Sequence, residues 1–156
     1  MFGLFRKKDN GISAPAAGIL KPIEESSDEA FAQKMLGDGF VIMPEEGRIV
    51  SPVDGKVKMT FPTMHAIGLE DQNGIEYLLH IGIDTVNLNG KGFKTYVAQG
   101  DTVTKGTLLT EFDLDYIRKN AKSDEIICVL TNGAKATLLK QGHVAAGEAG
   151  AVSVKL

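Results

Sequence analysis

Short runs rich in Val, Ile, Phe, Thr and Leu alternate along this chain with Gly, Pro, Asp and Asn. Apolar stretches of this kind, bounded by turn formers, predict strands rather than helices. Candidate strands are residues 39–44 (GFVIMP), 47–53 (GRIVSPV), 55–61 (GKVKMTF), 65–71 (HAIGLED), 75–83 (IEYLLHIGI), 94–100 (KTYVAQG), 106–112 (GTLLTEF), 126–132 (IICVLTN) and 151–156 (AVSVKL). Their regular spacing predicts an all-β domain, an antiparallel β-sandwich or barrel-like fold, over alternating βα units. Two segments depart from the pattern. Residues 26–36 (SSDEAFAQKML) set Ser and Asp as caps ahead of Ala, Phe and Met at helical spacing, and residues 113–123 (DLDYIRKNAKS) offer Asp113 as a cap with basic residues towards the end. Both predict short, peripheral helices.

Two stretches share a pattern. Residues 14–21 (APAAGILK) and 51–58 (SPVDGKVK) both carry Pro, then Gly three residues later, then an aliphatic residue and Lys in register; further on come GDGF (37–40) and GKGF (90–93). A duplicated β unit explains this, and so does the ordinary recurrence of Gly and Pro in turns.

Composition narrows the class. With 156 residues, 43% hydrophobic and 24% charged, the chain suits one globular domain with a sizeable core. The expected division is an N-terminal tail at 1–11 and a single domain at 12–156. The one cysteine, Cys128, lies in the apolar run IICVL; it excludes an internal disulfide and reads as an inert buried thiol in a reducing compartment. No run approaches the roughly 18 apolar residues that cross a bilayer, and the start MFGLFRKKDN has no secretory pattern, so a cytoplasmic protein is expected. The net charge of −3 is scattered, without the basic stripe that nucleic acid requires. Residues 1–8 read either as a frayed terminus or as a weak contact with an anionic membrane surface through Phe2, Leu4, Phe5 and the cations after them.

The candidate chemistry lies on one hairpin. Residues 64–82 (MHAIGLEDQNGIEYLLHIG) contain two apolar runs around Asp71-Gln72-Asn73-Gly74, a strong hairpin signal. A Gln72-Asn73 loop sets His65 directly opposite His80, and an Asn73-Gly74 loop makes them diagonal neighbours; a three-residue loop turns one away, because side chains alternate with period two. In a regular strand Gly82 and Asp84 share the parity of His80, and Thr63 that of His65. Paired imidazoles resist joint protonation, so at least one keeps a nucleophilic or metal-binding nitrogen near neutral pH. A hydrolytic zinc centre needs a third ligand, and His143, in a Gly- and Ala-rich stretch, reads as an exposed turn residue. Neither a nucleophilic serine motif nor a nucleotide-binding loop is present. A histidine that accepts a phosphoryl group covalently fits the remaining requirements: a neutral ring nitrogen, its other nitrogen fixed, and a neighbour to stabilise phosphate oxygens.

The stretch GIEYLLHIGIDTVNLNGKGF (74–93) resembles the active-site signature of the glucose-type enzyme IIA component of the phosphoenolpyruvate-dependent sugar phosphotransferase system, and FAQKMLGDGFVIMPEEGRIVSPVDGKV, FPTMHAIGLED, GDTVTKGTLLTEFDL and NAKS are similar to that family in the same order. The resemblance covers most of the chain from about Ile12. It implies a phosphotransferase component, with the phosphoryl group on His80, His65 stabilising it and Thr63 hydrogen-bonded to His65. The implied donor is the phosphocarrier HPr and the implied acceptor a cysteine of a sugar-specific IIB domain. Asp38 and Asp84 match acidic positions that face partner arginines, and equally suit the turns and strand ends where Asp is common; Phe40, Ile42, Phe61 and Val86 around them read either as an apolar docking patch or as core residues. The relay requires no cofactor; the resemblance allows Zn²⁺ on His65 and His80 at a regulatory partner interface. DEIICVL (124–130) departs from the usual family segment, which more often carries Pro there. A regulatory binding module using the same face without onward transfer is the alternative. A biotinyl- or lipoyl-type carrier, suggested by SPVDGKV and GDTVTKG, lacks a lysine between two methionines at a hairpin tip.

Overall fold

The structure is a computed structural model that describes residues 11–156; the two readings of residues 1–8 lie outside them. Strands β1 (Gly11–Ile12) and β2 (Gly18–Pro22) are followed by a 3-10 turn at Ile23–Glu25 and the single-turn helix α1 (Glu29–Ala32). Next come β3 (Asp38–Pro44), β4 (Arg48–Val50), β5 (Gly55–Thr60), β6 (Ala66–Asp71), β7 (Glu76–Ile83) and a second 3-10 turn at Thr85–Leu88. Strands β8 (Phe93–Thr95), β9 (Thr102–Val103) and β10 (Leu108–Phe112) precede helix α2 (Leu114–Asn120), and β11 (Ser123–Leu130), β12 (Lys135–Leu138), β13 (Gly142–Val144) and β14 (Val152–Lys155) follow. The expected antiparallel β architecture with two short helices is present. One eight-stranded sheet runs β13-β2-β3-β11-β7-β6-β5-β9, and two three-stranded sheets run β4-β10-β8 and β1-β14-β12.

Alternation in the large sheet separates two apolar clusters. Phe40 and Ile42 of β3, Ile67 and Leu69 of β6, Tyr77, Leu79 and Ile81 of β7, and Ile126, Cys128 and Leu130 of β11 point inward to the main core, where Ile49, Leu109, Phe112, Val152 and Val154 meet them from the smaller sheets. Val41, Ile127 and Val129 face the other way, where Ile23 and Phe31 cover them. Strand β11 is therefore buried on both faces, which explains its unbroken apolar run. Helix α1 is capped by Asp28, whose side chain accepts from the N–H groups of Ala30 and Phe31, and Lys34 at φ 60° ends the helical stretch well before residue 36.

The two similar segments occupy equivalent places. Ser13 N–H donates to the Pro52 carbonyl and Val50 N–H to that of Pro15; the Ala14 carbonyl accepts from Gly147 as that of Ser51 does from Gly106. Gly18 pairs with Val144 and Gly55 with Val103. A Cβ at Gly18 would lie 2.0 Å from the Met43 carbonyl oxygen, and one at Gly55 2.1 Å from that of Glu70, so close backbone approach demands glycine at both.

Candidate active site

The hairpin forms, in a register the sequence reading did not favour. Glu70 pairs with Glu76, Asp71 N–H donates to the Ile75 carbonyl, and Gln72-Asn73-Gly74 make a three-residue loop. Ala66, not His65, is thereby the partner of His80. The histidines still meet because His65 precedes β6, after a turn closed by Met64 N–H on the Phe61 carbonyl (2.9 Å) with Met64 at φ 57°. Strand alternation does not govern a residue outside the strand. The rings lie with centroids 5.2 Å apart and planes inclined by 81°.

His80 belongs to the outer face of β7 with Leu78, opposite in direction to Leu79 and Ile81. At Gly82 the chain takes φ 73°, where a Cβ would come within 2.5 Å of Thr85 and 2.8 Å of the Ser123 carbonyl oxygen. That kink breaks the expected parity, since Ile81 joins the main core and Ile83 the outer cluster. It also turns the Gly82 carbonyl back onto the ring, where His80 Nδ1 donates to it across 2.8 Å. A carbonyl only accepts, so the proton is on Nδ1 and Nε2 keeps its lone pair. Thr85, fully buried, donates its hydroxyl to the Ile81 carbonyl and anchors the turn.

Burial, reinforced by the adjacent His65 ring, pushes His80 down to about 4; the bond to Gly82 and the carboxylates of Asp28 and Glu125 act in the opposite sense without cancelling it. Burial lowers His65 as well. At neutral pH His80 is thus an uncharged imidazole with a bare Nε2. His65 Nδ1 lies 2.7 Å from Thr63 Oγ1, which fixes the second ring. With both Nδ1 atoms engaged, each ring has only Nε2 to offer, and two nitrogens are half of a tetrahedral zinc shell, so Zn²⁺ there would take its remaining ligands from a partner or water. Among the described residues no group of three or more His, Cys, Asp and Glu side chains is placed to hold a metal ion.

A family model described as phosphoenolpyruvate-dependent sugar phosphotransferase system, EIIA 1, matches residues 10–136. The chain belongs to this family. A solved structure of glucose permease IIA from Mycoplasma capricolum is 38% identical over 94% of this chain and 96% of that one, with a TM-score of 0.88. The protein is accordingly a glucose-family EIIA, a phosphotransferase component that relays a phosphoryl group through a phosphohistidine, from HPr toward a IIB domain. None of its described helices is long and apolar enough to cross a membrane.

Other predicted residues of this EIIA fall in different places. Phe61 lies beside the pair, its ring 5.4 Å from that of His65. Val86 and Asp84 are exposed on the turn after β7, Asp84 at φ 64°. Phe40 and Ile42 form no surface patch: they are 1% and 0% exposed, because β3 turns them inward to the main core. Asp38 is engaged within the chain, accepting from Ala136 N–H and pairing with Lys34. His143 is exposed, but on strand β13 rather than in a turn, and bonds to Glu45. Cys128 is fully buried, and burial raises its thiol far above the ordinary cysteine value.

Three residues beside His80 escaped sequence reasoning. Phe31 packs against the His80 ring at 5.2 Å, and Asp28 and Glu125 lie close enough to act on its charge. Past α1, Met35 and Leu36 expose 71% and 50% of their surface. The available signal was the unbroken apolar run of β11, which requires a cover on each face, and α1 is the element left to supply one.

Proposed function

We propose that His80 is the residue of this EIIA that carries the phosphoryl group, on Nε2, with His65 steadying the transferred group and Thr63 orienting His65. The observation that carries the reading is the Nδ1 to Gly82 bond beside a second imidazole. Nε2 attacks the phosphorus of the donor's phosphohistidine; the donor N–P bond breaks as the new one forms, and the proton on His80 Nδ1 stays in its bond to Gly82. With the Thr63 hydroxyl donating to Nδ1 of His65, the proton of that ring is on Nε2, where it donates to a phosphate oxygen. In the onward step a cysteine thiolate of the IIB domain attacks, the N–P bond breaks and an S–P bond forms, returning His80 to its neutral state. The donor is HPr and the acceptor a glucose-class IIB domain. Phe61, Val86 and Asp84, with Met35 and Leu36, border the docking face, an apolar surface around the histidines with an acidic edge toward basic partners.

Incubation with phosphoenolpyruvate, enzyme I and HPr tests this. An acid-labile phosphoryl adduct maps to His80 in the native protein and is absent from His80→Ala. An adduct on His80→Ala overturns the assignment.

A further inference from the structure

Glu125 is a carboxylate at 1% exposure, in the segment where this sequence departs from the usual family pattern, and the relay chemistry does not use it. Ser26 donates its hydroxyl to one carboxylate oxygen at 2.6 Å. The other oxygen accepts the Ser123 hydroxyl at 2.9 Å, the backbone N–H of Ser27 at 3.1 Å and the Ser27 hydroxyl. Burial of an acid without such donors is costly; here four donors converge on one carboxylate. One, the Ser123 hydroxyl, comes from the start of β11 itself; the other three belong to Ser26 and Ser27, the segment that leads into α1.

The place in the sheet gives this clamp its significance. Ile127 is the cross-strand partner of His80, and Glu125 lies two residues before it, within the register shift between Ser123 and Ile126. Ser26 and Ser27 immediately precede Asp28, the cap of α1, and α1 carries Phe31 onto the His80 ring. A helix of one turn has no stability of its own. Its seat on the sheet rests on Phe31 and on what holds its N-terminal end.

We propose that Glu125 is a positioning residue for the phosphoryl relay: by fastening Ser26 and Ser27 to β11 it seats α1 so that Phe31 confines the His80 ring. The relay role of His80 is taken from the reading above; the seating of Phe31 is independent of it. A carboxylate is suited to the task because it accepts all four bonds, whereas an amide at this position brings its own donors against them. Phosphoryl transfer needs Nε2 in line with phosphorus, so a loosened ring lowers the rate without removing the acceptor.

The test compares full-length native protein with Glu125→Gln and with Ser26→Ala/Ser27→Ala, which removes donors while keeping the acid. Nuclear magnetic resonance reads the His80 imidazole signals, which Phe31 shifts by its ring current, and rapid quench reads transfer from phospho-HPr. Both variants are expected to move the His80 signals toward those of Phe31→Leu and to slow transfer at saturating donor by about tenfold. Signals and rates within about twofold of native in both variants overturn the proposal. Should Glu125→Gln fail to fold, the serine variant, altered in a partly exposed loop, decides alone. If native His80 takes no phosphoryl group, the relay reading falls while the imidazole signals still decide whether Glu125 seats Phe31.

Discussion

The rings of His65 and His80 meet edge to face, although the residue paired with His80 across the strands is Ala66. A turn at Met64 rather than cross-strand register brings the second imidazole to the first. His65 consequently has its own fixture, the Thr63 hydroxyl at 2.7 Å. His65→Gln is expected to accept the phosphoryl group and pass it on about a hundredfold more slowly, the loss typical of one removed donor at a charged transition state. Thr63→Val, which frees the ring without deleting it, is expected to cost about tenfold. Single-turnover transfer to a IIB domain measures both, and onward transfer at the native rate by His65→Gln would remove His65 from the mechanism.

The lowered histidines make folding pH-dependent. Burial first, and His65 second, hold folded His80 down to about 4, below the value of about 6.5 in the unfolded chain. Between these values the unfolded state binds more protons, so the contribution to stability is complete above about 6.5 and is lost as pH falls toward 4. His65, also lowered, adds in the same direction. Melting temperature should decline across this window, less so in His80→Phe, and imidazole resonances should show His80 uncharged at pH 6.

Gly82 has two duties that no other residue combines. Its φ of 73° suits glycine, and a Cβ would collide with Thr85 and the Ser123 carbonyl. Gly82→Ala is expected to destabilise the protein by more than about 2 kcal/mol. In whatever fraction remains folded, the carbonyl that holds the His80 proton on Nδ1 is displaced, so the balance between the two ring tautomers shifts. Chemical denaturation and nitrogen chemical shifts of the ring check the two effects separately.

Cys128 stays out of the chemistry. It lies on the inner face of β11 at 0% exposure, on the opposite side of the sheet from His80. Thiol reagents are expected to leave it untouched in the folded protein and to modify it in denaturant. Cys128→Ala should retain phosphoryl acceptance while costing about 1–2 kcal/mol through lost packing. Loss of acceptance in a folded Cys128→Ala would contradict this placement.

Much of this was legible in the chain. Apolar runs bounded by turn formers located β3, β4, β5, β6, β7, β10, β11 and β14, and the Asp28 and Asp113 caps located both helices. The pairs and triplets of β1, β9 and β13 are too short to carry a period, and β12 is exposed at alternate residues without a strong apolar partner set. For the site, residue type and motif identified His65 and His80, but their geometry depended on two backbone reversals, at Met64 and Gly82, that hydrophobic alternation does not encode. Counting alternation from β3 also explains the misplaced patch: Phe40 and Ile42 share one face and Val41 the other, and no local feature says which is inner. Phe31 and Glu125 were hidden because each meets His80 from a segment distant in sequence.

The separation of the two apolar clusters has an evolutionary corollary. The interior that secures the sandwich shares almost no side chains with the layer beneath α1, so substitutions at the exposed Met35 and Leu36, past α1, can alter what docks while the scaffold keeps its stability and Phe31 keeps its place on His80. The rim of that face is thus free to change where the layer beneath it is not.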